Sequence, residues 1–465
     1  MTDRVYIDQT PNHVGETVTC AGWIDSRRDH GKIVFLDIRD RSAKVQVVLV
    51  PNSLDEASQE VMKQVRPEWV VQFQGFIKQR PAKLVNPDLV TGTIEIEATQ
   101  LMVLNQAQTP EIPLDQEKDH ILDELRLQYR YLDLRREKMQ DNLAKRHKVT
   151  KTIRDYLEEQ SFWEIETPLL SASTPEGARD FVVPSRNQPG NFYALPQSPQ
   201  QYKQLLMASG VERYFQIARC FRDEDTRRDR QPEFTQLDLE MSFTSEEEMI
   251  QLNEELLIHV VRTLYPEKTI TQVPFPRLSY QEVMDTYGTD APDLRQDPDN
   301  PEELAFCWIV DFPQFERTDT GAWTFSHNPF SAPRPEWQEA LVKQEQIENI
   351  ISSQYDIVLN GFEIGGGSMR AHRAEMLQAI FDIIGYDKEV QKQAFGHMMH
   401  ALGSGMPPHG GIAWGLDRLL AILQKEPNIR EVMAFPKTSD GRDPMMVSPD
   451  AIEVKQLVEL GLKKA

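Results

Sequence analysis

Cysteine is scarce in this chain. Cys20, Cys220 and Cys307 are far apart and match neither a metal-ligand nor a redox spacing, so a reducing cytoplasm is the expectation. No run reaches the roughly 18–20 apolar residues needed to cross a bilayer, and no membrane partner is expected. The N-terminus lacks a basic region followed by an apolar one, so no signal peptide is read. Gly-x-Gly-x-x-Gly and Walker loops are also missing, which removes the commonest phosphate cradles. Basic excess is lacking too: 51 Lys and Arg face 73 Asp and Glu, a net charge of −22, unlike a non-specific binder of nucleic acid. The deficit is uneven. Residues 1–104 hold 12 Lys and Arg against 14 Asp and Glu, a net of −2. Within them Arg27, Arg28, Lys32, Arg39, Arg41 and Lys44 cluster, which permits a local basic face.

What is present organises into domains. The 465 residues, 40% of them hydrophobic, can bury large cores in two or three domains. Residues 1–104 read as five strands, near 15–25, 32–39, 44–50, 70–79 and 92–104, with a helix near 55–65 after the third. That is the plan of an OB-type barrel, an oligonucleotide reader. Alternation turns Val34, Leu36 and Ile38 inward and leaves Phe35, Gln46 and Glu95 outward beside Arg28, a set suited to stacking on and edge-reading unpaired bases. Residues 105–125 read as a proline-rich linker. From 126 to 465 a mixed α+β domain on an antiparallel sheet is expected. It opens with a helix carrying Val149, Ile153 and Leu157 four apart, then a strand over Phe162–Leu170 that Pro168 confines to an edge or interface. Helices follow near 246–264, 371–384 and 415–424. Residues 425–465 read as a packed tail.

Three segments carry chemistry. Eight of the ten residues from Phe221 to Arg230 are charged, and they run into an alternating strand. There Leu237, Leu239, Met241 and Phe243 share one face and Phe234, Gln236, Asp238 and Glu240 the other. A polar row opposite an apolar one suits the floor of a polar pocket, with the charged loop closing over a polyanion. Second, Asn360-Gly361 is a two-residue hairpin signal that pairs Val358 with Glu363 and sets Asp356 one diagonal step from Glu363. Two carboxylates so close call for a cation, and Mg²⁺ on nucleotide phosphates is the natural one. Gly365, Gly366 and Gly367 would let a ligand approach the backbone, near Arg370. Third, an apolar strand from Pro407 enters a helix through Gly415-Leu416-Asp417-Arg418, with Arg418 on the first turn, where helix amides also favour phosphate.

Pro168 with its flanking strand, Phe221-Arg-Asp-Glu with the next strand, and Gly415-Leu-Asp-Arg resemble motifs 1, 2 and 3 of class II aminoacyl-tRNA synthetases, in order. Ser173-Thr-Pro-Glu-Gly-Ala-Arg-Asp, Gln197-Ser-Pro-Gln-Gln-Tyr-Lys203 and Phe362 to Arg370 narrow the likeness to the bacterial-type aspartyl-tRNA synthetase family, over nearly the whole chain. The resemblance implies an aspartate–tRNA ligase, with ATP, L-aspartate and tRNA(Asp) as partners, tRNA(Asn) left open as a second tRNA, and a homodimer formed around Pro168. It implies that Arg222 holds the substrate α-carboxylate and the α-phosphate, that Phe234 stacks on adenine, and that Asp223, Glu224 and Gln231 complete the nucleotide site. Gly415, Leu416, Asp417 and Arg418 would meet ATP, with Arg418 on the γ-phosphate, and Asp356 and Glu363 would hold Mg²⁺. Arg222, Glu363 and Arg418 are the implied catalytic set. For the amino acid, Lys203 and Arg370 would clamp the side-chain carboxylate, Gln200 and Asp238 would hold the ammonium, and Glu176 and His327 would close over the pocket. Arg28, Phe35, Gln46 and Glu95 would read the anticodon.

Three departures from that family stand out. The inserted domain is reduced to a short acidic linker near 291–305. His327-Asn328 replaces a histidine pair. His30 stands where many relatives carry leucine, which leaves discrimination between the two tRNAs open. Asparaginyl-tRNA synthetase is the nearest alternative, and Lys203 argues against it. A catalytically silent RNA-binding protein would have lost Arg222, Glu363 or Arg418, and all are present.

Overall fold

The computed structural model describes residues 4–114, 120–173, 177–226 and 229–463. Packing divides the chain into two compact units, Met1–Arg136 and Glu137–Ala465.

In the first unit, β1 (Thr17–His30), β2 (Ile33–Arg39), β3 (Lys44–Leu49), β4 (Val70–Gln79) and β5 (Ile94–Asn105) close a barrel in the order β1-β2-β3-β5-β4. Helix α1 (Glu56–Gln64) follows β3, and the Asp55 side chain caps it by accepting from Ser58 N. Val34, Leu36, Ile38, Val45, Val47 and Ile96 fill the interior, as alternation requires. The sequence places the domain change at 125/126, whereas the compact unit runs on to Arg136. The cause is local. Arg126, Arg130 and Arg136 converge on buried Asp133 at 2.9, 2.7 and 2.8 Å, and Arg135 pairs with Glu68 at 2.7 Å. The three arginines on Asp133 hold the segment together, and the Arg135–Glu68 pair fastens it to the barrel side of the chain.

The second unit holds α2 (Glu137–Glu159), β6 (Trp163–Glu164), α3 (Gln200–Ala208), β7 (Arg213–Phe221), β8 (Glu233–Ser242), α4 (Glu246–Leu264), β9 (Arg277–Ser279), β10 (Phe306–Val310), β11 (Gln354–Leu359), β12 (Phe362–Met369), α5 (Ala374–Ile383), α6 (Lys388–Gly403), β13 (His409–Gly415) and α7 (Leu416–Leu423). Eight of these strands form one sheet, β9-β10-β11-β12-β13-β8-β7-β6. Its neighbours are antiparallel except at the two edges, where β9–β10 and β6–β7 run parallel. One face is apolar: Leu237, Leu239, Ile412 and Trp414 pack on α2 (Val149, Ile153, Leu157), α4 (Leu256, Val260) and α7 (Leu419, Leu420). A capping box of Ser245 and Glu248 starts α4.

Three expectations need correction. The strand expected over 162–170 pairs only at Trp163–Glu164, on the sheet edge. Beyond it the Gln216 side chain, at 3.1 Å, takes the Thr167 N–H in place of a ladder. Phe243 does not share the core face, because the chain turns at φ 55° after Ser242 and leaves its ring exposed. The tail is packed only at first: Ile429, Val432 and Met433 enter the core, while Met446, Val447, Val454 and Val458 are exposed. Among the described residues no helix is long and apolar enough to cross a membrane.

Candidate active site

Opposite the apolar face, β8 presents Gln236, Asp238 and Glu240. Helix α3 lies against it, with Gln200, Lys203 and Gln204 on one helical face. Lys203 Nζ donates to Asp238 Oδ1 at 2.7 Å and lies 3.2 Å from Glu240 Oε2. Arg370, just past β12, donates from Nε and Nη2 to the two oxygens of Glu240 at 2.8 and 3.2 Å, and from Nη1 to Ser368 Oγ at 2.7 Å. None of the four charged side chains is more than 2% exposed. The quartet is electrically neutral, which is what makes burial of four charges tolerable.

Its two acids respond differently. Burial disfavours the charged form of Glu240, but Arg370 and Lys203 together outweigh it and hold the carboxyl at about 2. For Asp238 burial dominates over Lys203, and the nearby Glu240 charge adds to it, so that carboxyl is pushed up. Asp238 Oδ2 is buried without a hydrogen-bond partner. The cluster therefore ends in one carboxyl oxygen with no donor of its own.

A cavity of about 380 Å³ opens above this floor, lined by Gln200, Lys203, Asp238 and Arg370 together with Arg222, Phe234, Glu363 and Arg418. The Arg222 guanidinium lies 5.2 Å from the Phe234 ring centroid, and its Nε is buried and unpartnered. Arg418 donates to the Glu363 carbonyl oxygen and, at 3.2 Å, to Asp229; its Nε is likewise unpartnered. Gln231 lines the cavity but is clipped at both ends of its amide to the Lys437 backbone, and Glu224 pairs with Arg230 at 3.3 Å. His327, exposed, and Asn328 stand at the wall. The Asn328 side chain accepts from Phe330 N at 2.9 Å and so shapes the turn.

The Asn360-Gly361 turn pairs Leu359 with Phe362 and Val358 with Glu363, as expected, and a bulge then resets Asp356 opposite Gly366. Burial raises the Asp356 carboxyl well above the usual range, and the Glu363 charge raises it further. The Gln354 side chain donates to its oxygens at 3.3 and 3.4 Å. Among the described residues no three His, Cys, Asp or Glu side chains gather as a metal cage. Two hard carboxylates in mutual repulsion instead fit a Mg²⁺ that shares its shell with phosphate. The three glycines line the cavity, as ligand approach requires, and they also serve packing: a Cβ at Gly365 would stand 2.8 Å from the Trp414 ring, and one at Gly366 2.8 Å from Asp356 Oδ1.

Other expected contacts fall elsewhere. Asp223 pairs with Arg179 at 2.6 Å and does not line the cavity. Leu416 packs in the apolar core. Gly415 and Asp417 line the cavity, but Asp417 accepts from Arg146 at 2.5 Å and Thr235 N at 2.8 Å, which ties α7 to α2 and β8. Glu176 lies outside the described residues. On the barrel, Arg28 bonds Asp37 at 3.0 Å and Gln46 at 3.5 Å, Gln46 reaches Glu95 at 3.4 Å, and His30 meets Phe35 edge-on at 5.7 Å between ring centroids. Those four expected base readers thus share one outer face.

Sequence reasoning missed Glu240, the acid that holds Lys203 and Arg370 together, and Gly411, where a Cβ would overlap Glu240 Oε2. A signal existed: two acids in one polar row demand cations from elsewhere in the chain.

Residues 122–439 match the family model for class II tRNA synthetases (D, K and N), and residues 18–104 match the OB-fold nucleic acid binding domain. The chain belongs to the class II tRNA synthetases. Within that family it is 40% identical to an aspartate–tRNA(Asp/Asn) ligase of Rubrobacter xylanophilus, covering 97% of this chain and 94% of that one. It is 37% identical to an aspartate–tRNA ligase of Listeria monocytogenes, covering 97% and 96%. The alignment with the Rubrobacter enzyme runs over 574 positions against the 465 residues of this synthetase, so at least 109 of them face no residue here. An asparaginyl-tRNA synthetase structure from Pyrococcus horikoshii shares the fold at TM-score 0.76 and 23% identity, covering 94% of this chain and 99% of that one.

Proposed function

We propose that this synthetase activates L-aspartate with ATP and transfers it to tRNA(Asp). The observation that carries the reading is the buried quartet. Glu240 holds Lys203 and Arg370 side by side, each with N–H groups to spare, and Asp238 Oδ2 waits for a donor. Two cations beside an unsatisfied carboxylate oxygen complement a side-chain carboxylate and an α-ammonium. The amide of asparagine would turn an NH₂ donor toward two donor cations where the carboxylate of aspartate offers acceptors alone.

In the reaction, the aspartate α-carboxylate oxygen attacks the α-phosphorus of ATP, the new O–P bond forms, and the bond to pyrophosphate breaks. Arg222, with its free Nε, neutralises the α-carboxylate and α-phosphate as charge shifts between them. Phe234 supplies a face for adenine, with Glu224 and Gln231 beside it, and Arg418 reaches the γ-phosphate. Asp356 and Glu363 would hold Mg²⁺, which supplies charge neutralisation on the phosphates. Positioning does most of the work and no protein nucleophile is needed. The ribose hydroxyl at the tRNA 3′ end then attacks the mixed anhydride and AMP leaves. His327, at the cavity wall, closes on the substrate.

The barrel face of Arg28, Phe35, Gln46 and Glu95 reads the anticodon. Extension of the substrate range to tRNA(Asn) is favoured by the relatives named for both tRNAs. Exposed Trp163, Leu169 and Leu170 around Pro168 suit the surface of a cytoplasmic homodimer. ATP–pyrophosphate exchange tests the core reading: exchange with aspartate and not asparagine supports it, and exchange with asparagine alone refutes it. Charging of each purified tRNA settles the range.

A further inference from the structure

The cavity floor is tied to a run of hydrogen bonds that begins at the start of β13. His409 Nδ1 lies 2.8 Å from the Pro407 carbonyl oxygen. That oxygen can only accept, so Nδ1 carries the hydrogen and Nε2 is bare. The Gln204 amide nitrogen, 3.2 Å from Nε2, therefore donates to it. An amide whose NH₂ points one way turns its carbonyl the other, and Gln204 Oε1 accepts from Gln200 Nε2 at 3.2 Å. With one N–H of Gln200 spent on Gln204, its carbonyl oxygen is the acceptor it can offer to the cavity it lines. Each orientation is forced by the one before. His409 and Gln204 are both buried. Burial pushes the imidazole down to about 4, against the pull of Glu240, which keeps the ring neutral and in one tautomer.

We propose that His409, acting through Gln204, is a positioning residue that sets the Gln200 amide with its carbonyl toward the α-ammonium of the amino acid. The proposal rests on reading the cavity as the aspartate site. Without an acceptor at position 409, Gln204 is free to flip and present its NH₂ to Gln200. Gln200 then turns its own carbonyl inward and meets the ammonium with N–H groups, a repulsive contact.

Succinate distinguishes orientation from general loosening, because it keeps both carboxylates of aspartate and lacks the ammonium. In ATP–pyrophosphate exchange, His409→Phe and, as a milder second variant, Gln204→Met are expected to raise the KM for aspartate about tenfold. Competitive inhibition by succinate should stay within about twofold of the parent, since the lost interaction touches only the ammonium. An unchanged aspartate KM in a folded variant overturns the proposal. So does equal weakening of aspartate and succinate, which would make both residues merely structural. A parent protein that shows no aspartate-dependent exchange would instead remove the underlying reading of the cavity, and the relay with it.

Discussion

Lys203 Nζ sits 2.7 Å from one oxygen of Asp238, and the other oxygen of that carboxylate is buried with no partner. A salt bridge that leaves half its acid unsatisfied is a poor stabiliser and a good receptor. Lys203→Met should abolish aspartate-dependent exchange, by about a hundredfold or more. It should also cost about 3–5 kcal/mol of stability, because Asp238 and Glu240 would then share only Arg370. Denaturant titration alongside the exchange assay separates the two effects.

Glu240 gives a pH signature. Its folded carboxyl is held at about 2, below the ordinary glutamate value of 4.5. A depressed carboxyl contributes stability that is present above the unfolded pKa and lost as pH falls through the folded one. Asp238, raised, acts with the opposite sign, so the comparison must isolate Glu240. The stability advantage of the parent over Glu240→Gln should be about 3 kcal/mol above pH 4.5 and should vanish as pH falls toward 2. Urea melts of both proteins across that range provide the check. An advantage that persists at pH 2 would place the ionised group elsewhere.

Gly411→Ala would force a methyl group into Glu240 Oε2. Glu240 cannot yield without releasing Lys203 and Arg370. A loss of roughly 1–3 kcal/mol is expected, together with a raised KM for aspartate. Thermal melts and exchange kinetics measure both.

Adjacent residues on α7 should behave differently. Arg418→Ala is expected to raise the KM for ATP about tenfold or more, since it removes the cation proposed to meet the γ-phosphate. Asp417→Ala should instead destabilise the fold by about 2–4 kcal/mol, because Thr235 N loses its acceptor and Arg146, still bonded to the Val432 carbonyl, loses its counter-charge. Exchange kinetics and calorimetry on the pair decide between these roles.

On the barrel, Phe35→Ala should raise the KM for tRNA in aminoacylation about tenfold, the scale of one lost base–aromatic stack. A KM unchanged from the parent would move anticodon reading off this face.

Much of this was legible in the chain. Strand alternation exposed the polar row at Gln236, Asp238 and Glu240 and the outward set at Phe35, Gln46 and Glu95. The Asn-Gly turn gave the pairing of Val358 with Glu363. What misled was local pattern without context. Phe162–Leu170 looks like one strand, yet only two of its residues find a ladder. Phe243 continues an apolar period that the backbone abandons at a positive φ.

The amino-acid order by itself determined the elements, their faces and the family, because periodicity, turn chemistry and motif spacing are properties of neighbouring residues. Only the tertiary structure decided which charges meet. Lys203, Glu240, Arg370 and His409 come from a helix, two strands and a strand end, and nothing in their spacing says that one acid holds two cations or that one imidazole orients a distant amide. Such pairings depend on distances across the sheet, and those exist only once the core has brought the strands together.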